Sequence, residues 1–137
     1  MFKKILLMSL CLSSFTHAKW VELYEDDDFI TYIDPSRIKA TDPDAHYAET
    51  WIKQVVNTDL QQGGLSEGDH RILKYKIKCD EQKMGIAEYF QYSKKKLTDS
   101  YHPFYVDYSA IAPESSNERI SDIVCHFLFN MNETVEK

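Results

Sequence analysis

Long apolar runs are missing from this sequence, and so is an excess of positive charge. The longest apolar stretch, Ile5–Leu12, is broken by Ser9 and falls far short of the roughly 20 residues that span a bilayer. No transmembrane segment is expected. Sixteen lysines and arginines face 22 acids, a formal net charge of −6. Sequence-independent nucleic-acid binding needs cations to displace phosphate counterions and is not expected either. Glycine is scarce, and none of the four residues belongs to a P-loop, a dinucleotide fingerprint or a G-x-S-x-G elbow. There is no C-x-x-C, and His46, His70, His102 and His126 form neither an i, i+4 pair nor H-E-x-x-H, so no metal and no cofactor is expected. Ser93-Lys94-Lys95-Lys96 matches S-x-x-K in form only, because Ser93 closes a strand instead of opening a helix. Nothing singles out a catalytic pair among the many carboxylates, so the chain is not read as an enzyme. Repeats and low-complexity segments are also absent.

What is present begins with an export signal. Met1-Phe2-Lys3-Lys4 is basic, Ile5–Leu12 is apolar, and Thr16-His17-Ala18 offers small residues at the two positions read by a signal peptidase. Residues 1–18 are expected to be removed, with Cys11 among them. Leu10, where a lipoprotein signal wants a small residue, argues against lipidation of Cys11. The remaining 119 residues make one domain, expected over 19–130, with a flexible tail over 131–137. Removal of two lysines and no acid takes the net charge to −8. Cys79 and Cys125 then meet oxidising surroundings, where pairing is the default. Closing a loop of 46 residues would add about 4 kcal/mol by the chain-entropy argument.

Aromatic and β-branched residues dominate the first two thirds. Trp20–Tyr24 and Phe29–Ile33 read as strands around the acidic turn Glu25–Asp28, and Asp34-Pro35-Ser36 stops the second. Thr41-Asp42-Pro43-Asp44 reads as a turn, Tyr47–Val56 as a long strand, and Asn57–Asp69 as the longest loop. In Arg71–Cys79, Leu73, Tyr75, Ile77 and Cys79 alternate with Lys74, Lys76 and Lys78, so the first set faces the core and the second faces water. Met84–Ser93, the turn Lys94-Lys95-Lys96 and Leu97–Tyr101 follow. Short turns between successive strands favour an antiparallel meander.

The periodicity changes after Pro113. Ser115-Ser116-Asn117-Glu118 is a capping box. Ile120, Ile123, Val124, Phe127 and Leu128 recur at helical spacing, predicting a C-terminal helix whose stripe lies on the sheet. Cys125 stands off the centre of that stripe at about 100° per residue. Either the helix ends near Cys125, or the cysteine reaches sideways to a sheet edge. The expected fold is α+β: an antiparallel sheet of about five or six strands, one helix on one face, and one disulfide tying them.

Tyr75-Lys76-Ile77-Lys78-Cys79, Tyr89–Ser93 and Ile111-Ala112-Pro113-Glu114-Ser115 leading to Ile123-Val124-Cys125 together resemble the surface-adhesin protein E-like family of Gram-negative bacteria. Tyr32-Ile33-Asp34 and Trp20 fit the same pattern. The resemblance spans nearly the whole mature chain. It implies the same sheet, helix and Cys79–Cys125 bond, and a non-enzymatic cell-envelope protein that binds a protein partner such as a host matrix or serum protein. The chain departs from the family in having no lipid-anchor signal, in Tyr108 where a tryptophan is expected, in Lys94-Lys95-Lys96 where a turn usually carries glycine, and in the tail after Cys125. Export to the periplasm or the outer surface is expected. An exposed sheet edge would allow a homodimer.

Two partner-binding surfaces stand out. One is the lysine set Lys74, Lys76, Lys78, Lys83, Lys94, Lys95 and Lys96, a positive island on an acidic protein; its bland counterpart is a solvated sheet face and a lysine turn that blocks edge aggregation. The other is the aromatic loop with Tyr101, Phe104, Tyr105 and Tyr108 around His102-Pro103, residue types enriched at interfaces, although such a loop could equally fold over the core. Alternative roles are a periplasmic inhibitor of a hydrolase such as lysozyme, which an acidic protein would suit, and a small-molecule carrier with a pocket between helix and sheet.

Overall fold

A computed structural model describes residues 19–58 and 64–131. The signal peptide expected over 1–18, the centre of the Asn57–Asp69 loop and the tail beyond Met131 lie outside the described residues. Strands β1 (Val21–Glu25), β2 (Phe29–Ile33), β3 (Lys39–Asp42), β4 (Tyr47–Val56), β5 (His70–Lys78), β6 (Lys83–Ser93), β7 (Lys96–Tyr101) and β8 (Ser109–Ala110) precede one helix, α1 (Ser116–Phe129). All pairings are antiparallel, in the order β1-β2-β4-β5-β6-β7. The meander is as expected. The strand count among the described residues is eight, above the expected five or six, because two of the sheet's columns are interrupted.

β2 pairs with the second half of β4 and β3 with its first half. Between them Asp34 caps a 3-10 turn over Pro35–Arg37, accepting hydrogen bonds from the Ser36 amide (3.0 Å) and hydroxyl (2.6 Å). Likewise β7 pairs with the far half of β6, and β8 with Lys83 and Met84. Every residue of β3 and β8 is exposed, so neither strand carries the apolar alternation by which strands are read. The expected turn at Thr41–Asp44 begins later, at Pro43, with the Ala45 amide donating to Asp42 Oδ1.

β4 alternates strictly between buried and half-buried positions, and Leu73, Tyr75 and Ile77 of β5 are buried as expected. Ile33, Ala48, Ile52, Leu73, Ile77 and Met84 form the inner face and pack with Ile120 and Val124 of α1. Ser115 accepts from the Glu118 amide at 3.2 Å, while Glu118 reaches back to the Glu114 amide. Asn130, in the left-handed region, closes the helix through the His126 carbonyl. Met131 packs against the core.

Cys79 and Cys125 are bonded, with Cα atoms 5.9 Å apart. Neither expected way of reaching Cys125 is the one observed. The helix continues to Phe129, and Cys79 follows the end of β5, an interior strand. Instead the helix is rotated. Ile120, Ser121, Val124 and Cys125 are its buried residues and Leu128 is half-buried; on a helical wheel these five span an arc of about 140°. Ile123 and Phe127, expected inside, lie outside this arc and are exposed, Phe127 by 61%. Replacing both cysteines by alanine should lower the unfolding free energy by about 4 kcal/mol, measured by urea denaturation; a change below 1 kcal/mol would contradict the bond's stabilising role.

Asp69 ties the loop before β5 to the β6–β7 hairpin. It accepts from the Ser66 amide (2.9 Å), the Ser93 hydroxyl (2.8 Å) and the Lys94 amide (3.1 Å). Lys94 and Lys95 both have positive φ (49° and 64°), the conformation of a tight hairpin turn that ordinarily uses Asn-Gly. These bonds, the Ser66 amide first, hold the Asp69 carboxyl below its ordinary value. Its contribution is complete above the unfolded value of about 3.9 and disappears as pH falls through the lower folded value. Asp69→Asn should therefore flatten the acid limb of a melting temperature–pH curve below about pH 4; an unchanged limb would exclude Asp69 as a source of acid sensitivity.

Candidate functional site: an aromatic and lysine sheet face

The helix covers one face of the sheet, and the opposite face carries the chemistry. Cross-strand registers place Trp51, Lys74 and Glu88 in one row, Lys53, Ile72 and Phe90 in the next, and Tyr47, Lys78 and Lys83 near one end. Large aromatics thus alternate with lysines at a spacing of about 5 Å. Trp51 and Phe90 stack at 6.3 Å, and His70 stacks on Tyr92 at 4.8 Å. Burial and the nearby Lys53 lower the His70 pKa.

The lysines lie on these rings. Lys53 stands 5.9 Å from the Trp20 ring and Lys74 5.5 Å from Trp51. Lys78 sits 5.3 Å from Tyr47 and 4.4 Å from Tyr108. Each such contact contributes about 0.5–1 kcal/mol at an exposed site and more when desolvated. Carboxylates are interleaved: Glu49 is 3.4 Å from Lys74, and Glu81 is 3.9 Å from Lys78. The Tyr47 hydroxyl donates to Glu81 at 3.1 Å. That bond is the main cause raising the Tyr47 pKa, while burial leads for Tyr108. Both phenols stay neutral at ordinary pH. The face is therefore a mixed aromatic and ionic surface, not a simple positive patch.

The β7–β8 loop, residues 102–108, folds against this face. His102 meets Phe90 edge-on at 5.1 Å. A Cβ on Gly85 would stand 2.6 Å from both the Asp107 carbonyl oxygen and Val106 Cγ1, so the loop can approach only because residue 85 has no side chain. Phe104 and Tyr105 are left at the tip, 91% and 79% exposed, in a T-shaped pair at 4.8 Å.

Lys74, Lys76 and Lys78 share one face as expected, with Lys83 directly opposite Lys78. Lys94 and Lys95 lie in the hairpin at the other end of β6, about 30 Å away at the usual strand rise, and Lys96 opens β7. The seven lysines do not form one patch. Tyr101 ends β7 opposite Tyr89, an inner-face position, whereas Phe104 and Tyr105 occupy the loop tip. Trp51, Phe90, Lys53 and Tyr47 were not expected at the site, whereas Tyr108 was expected in the aromatic loop. The β4 sequence held a signal for three of them: Tyr47, Trp51 and Lys53 share the phase of Glu49, opposite to Ala48 and Ile52. No arrangement of histidines, cysteines and acids among the described residues could hold a metal. No helix among them is long and apolar enough to cross a membrane.

A disulfide-tied antiparallel sheet with one C-terminal helix and an open face of aromatics and lysines defines a small α+β domain. The chain belongs to the surface-adhesin protein E family, whose profile matches residues 20–126. Two crystal forms of Haemophilus influenzae protein E share the fold. One has a TM-score of 0.54 at 10% identity over 85% of this chain and 91% of the other. The second has a TM-score of 0.52 at 11% identity over 79% and 98%. No curated protein matches the sequence significantly.

Gly85→Ala should push the β7–β8 loop off the sheet and cost about 1–3 kcal/mol through overpacking. Thermal unfolding together with limited proteolysis near Phe104 reads both effects; a variant as stable and as resistant as the parent would disprove the close packing.

Proposed function

We propose that the exported domain acts as an adhesin-type binding protein at the cell envelope, engaging a host matrix or serum protein through its open sheet face and the adjoining loop tip. Membership of the surface-adhesin family supports the general role. The observation that carries the choice of surface is the seating of Lys53, Lys74 and Lys78 on aromatic rings, beside the uncovered Phe104–Tyr105 pair. Rings and lysine stems ordered before contact leave less side-chain entropy to lose on binding. Tyrosine, tryptophan and phenylalanine are also the residues that enrich interface centres. The lysine face and the aromatic loop, two separate candidates in the sequence, meet through Tyr108 on Lys78 and His102 on Phe90. Because Glu49 and Glu81 answer Lys74 and Lys78, this interface should depend on salt less than a pure lysine patch would.

Binding of the purified chain to immobilised basement-membrane matrix tests the reading. Trp51→Ala, and separately Phe104→Ala with Tyr105→Ala, should each weaken retention at least tenfold, the size of a hot-spot loss. Lys74→Gln should weaken it only a few-fold; glutamine is used because a glutamate there would face Glu49. Unchanged retention in both aromatic variants would remove this surface. Inhibition of lysozyme by the parent chain, without matrix retention, would replace the adhesin reading with the inhibitor one. Protease shaving of intact cells tests outer display against a periplasmic location.

A further inference from the structure

β7 pairs with β6 as far as Tyr89 opposite Tyr101, and β8 resumes at Met84 opposite Ser109. Residues 85–88 of β6 thus have no strand on the edge away from β5, and the β7–β8 loop spans the interruption. Behind it lies a half-open cavity of about 290 Å³. Tyr75, Met84, Ile86 and Tyr101 give it largely apolar walls, while Asp107 and Asn117 supply polar groups. That composition, mostly apolar with a few convergent polar groups, is that of a binding pocket.

The walls are set in advance. His102 on Phe90, the Val106 side chain and Asp107 backbone on Gly85, and Tyr108 beneath Lys78 fix the loop at three places. Asp107 is exposed and makes no ion pair among the described residues. Gly85, on which the Asp107 backbone packs, lies opposite Lys76 in the outer-face register, but neither Lys76 nor Lys83 forms an ion pair with Asp107; Tyr75, Met84 and Ile86 belong to the inner register. The amide end of α1, which would favour an anion, is already answered by Ser115 and Glu118.

We propose that this pocket receives a basic side chain, arginine or lysine, presented by the protein partner. The aliphatic stem would lie against Met84, Ile86 and the two tyrosines, and the cation would pair with Asp107. Basic side chains bury their stems on apolar surface while keeping the charge at a polar rim, and a carboxylate with a guanidinium is a strong charge-assisted pair. The acidic chain also draws cationic surfaces towards it. The inference rests on the reading of the chain as a protein-binding one, and it names a chemical feature of the partner.

The test is a titration of the disulfide-bonded exported chain, followed by backbone NMR, with N-acetyl-arginine methylamide and with its uncharged counterpart N-acetyl-citrulline methylamide. The arginine probe should shift resonances of Tyr75, Ile86 and Asn117 and bind at least tenfold tighter than citrulline. Asp107→Asn should abolish that preference, whereas Asp99→Asn, an exposed carboxylate on β7 outside the pocket, should not. Equal binding of the two probes, shifts confined to other surfaces, or an unaltered preference in Asp107→Asn would overturn the proposal. The probe needs no partner, so its failure removes the pocket and leaves matrix retention to be judged separately. A chain that takes the probe in the pocket yet retains no matrix protein keeps the cation preference and overturns the protein partner.

Discussion

The bond between Cys79 and Cys125 fixes how α1 sits on the sheet, and the arrangement of both faces follows from it. Cys79 leaves the end of an interior strand already directed inward, at 6% exposure. A helix joined to it must turn Cys125 inward as well. Ile120, Val124 and Leu128 remain on the covered side in that rotation, and Ser121 is carried in beside the disulfide, its hydroxyl 3.8 Å from the Cys125 sulfur. Ile123 and Phe127 are carried out. The covalent constraint outweighs the gain of about 1.5–3 kcal/mol from burying one further large apolar side chain, because the pair of cysteines admits only a narrow range of Cα separations.

With the helix committed to one side, the other side is free to be polar. Cross-strand pairing of aromatics with lysines lets a half-exposed sheet face remain ordered without a covering layer. The rings shelter the lysine stems, the ammonium groups sit on the rings, and Glu49 and Glu81 answer part of the charge. Such a surface is ordered and amphipathic, with the charge of Lys74 and Lys78 answered by glutamates.

The interruption between β7 and β8 joins the two faces. Where β6 bulges between Ile86 and Glu88, its neighbouring strand stops and the chain crosses the edge as a loop. The loop presents His102 and Tyr108 to the open face, leaves Phe104 and Tyr105 in water, and borders a half-open cavity against inner-face side chains. Gly85 makes the crossing possible. One irregular edge thereby places an aromatic tip, a lysine and aromatic lattice and a small cavity within one region of the surface.

The sequence by itself determined the main strands, the capped helix after Pro113 and the pairing of Cys79 with Cys125. Alternation in Arg71–Cys79, turn chemistry at Asp34-Pro35 and the Ser115–Glu118 cap are local signals, each legible within a few residues. It did not determine β3 or β8, whose residues are exposed throughout and are strands only because β4 and β6 offer them unpaired edges. Nor could it decide which side of α1 is buried: apolar periodicity favoured Ile123 and Phe127, and a bond to a residue 46 positions away overrode it. The joining of lysine stripe and aromatic loop was likewise a tertiary decision. Trp51, Lys74 and Phe90 come from three strands, and only their register, set over long range by the core on the opposite face, brings them together.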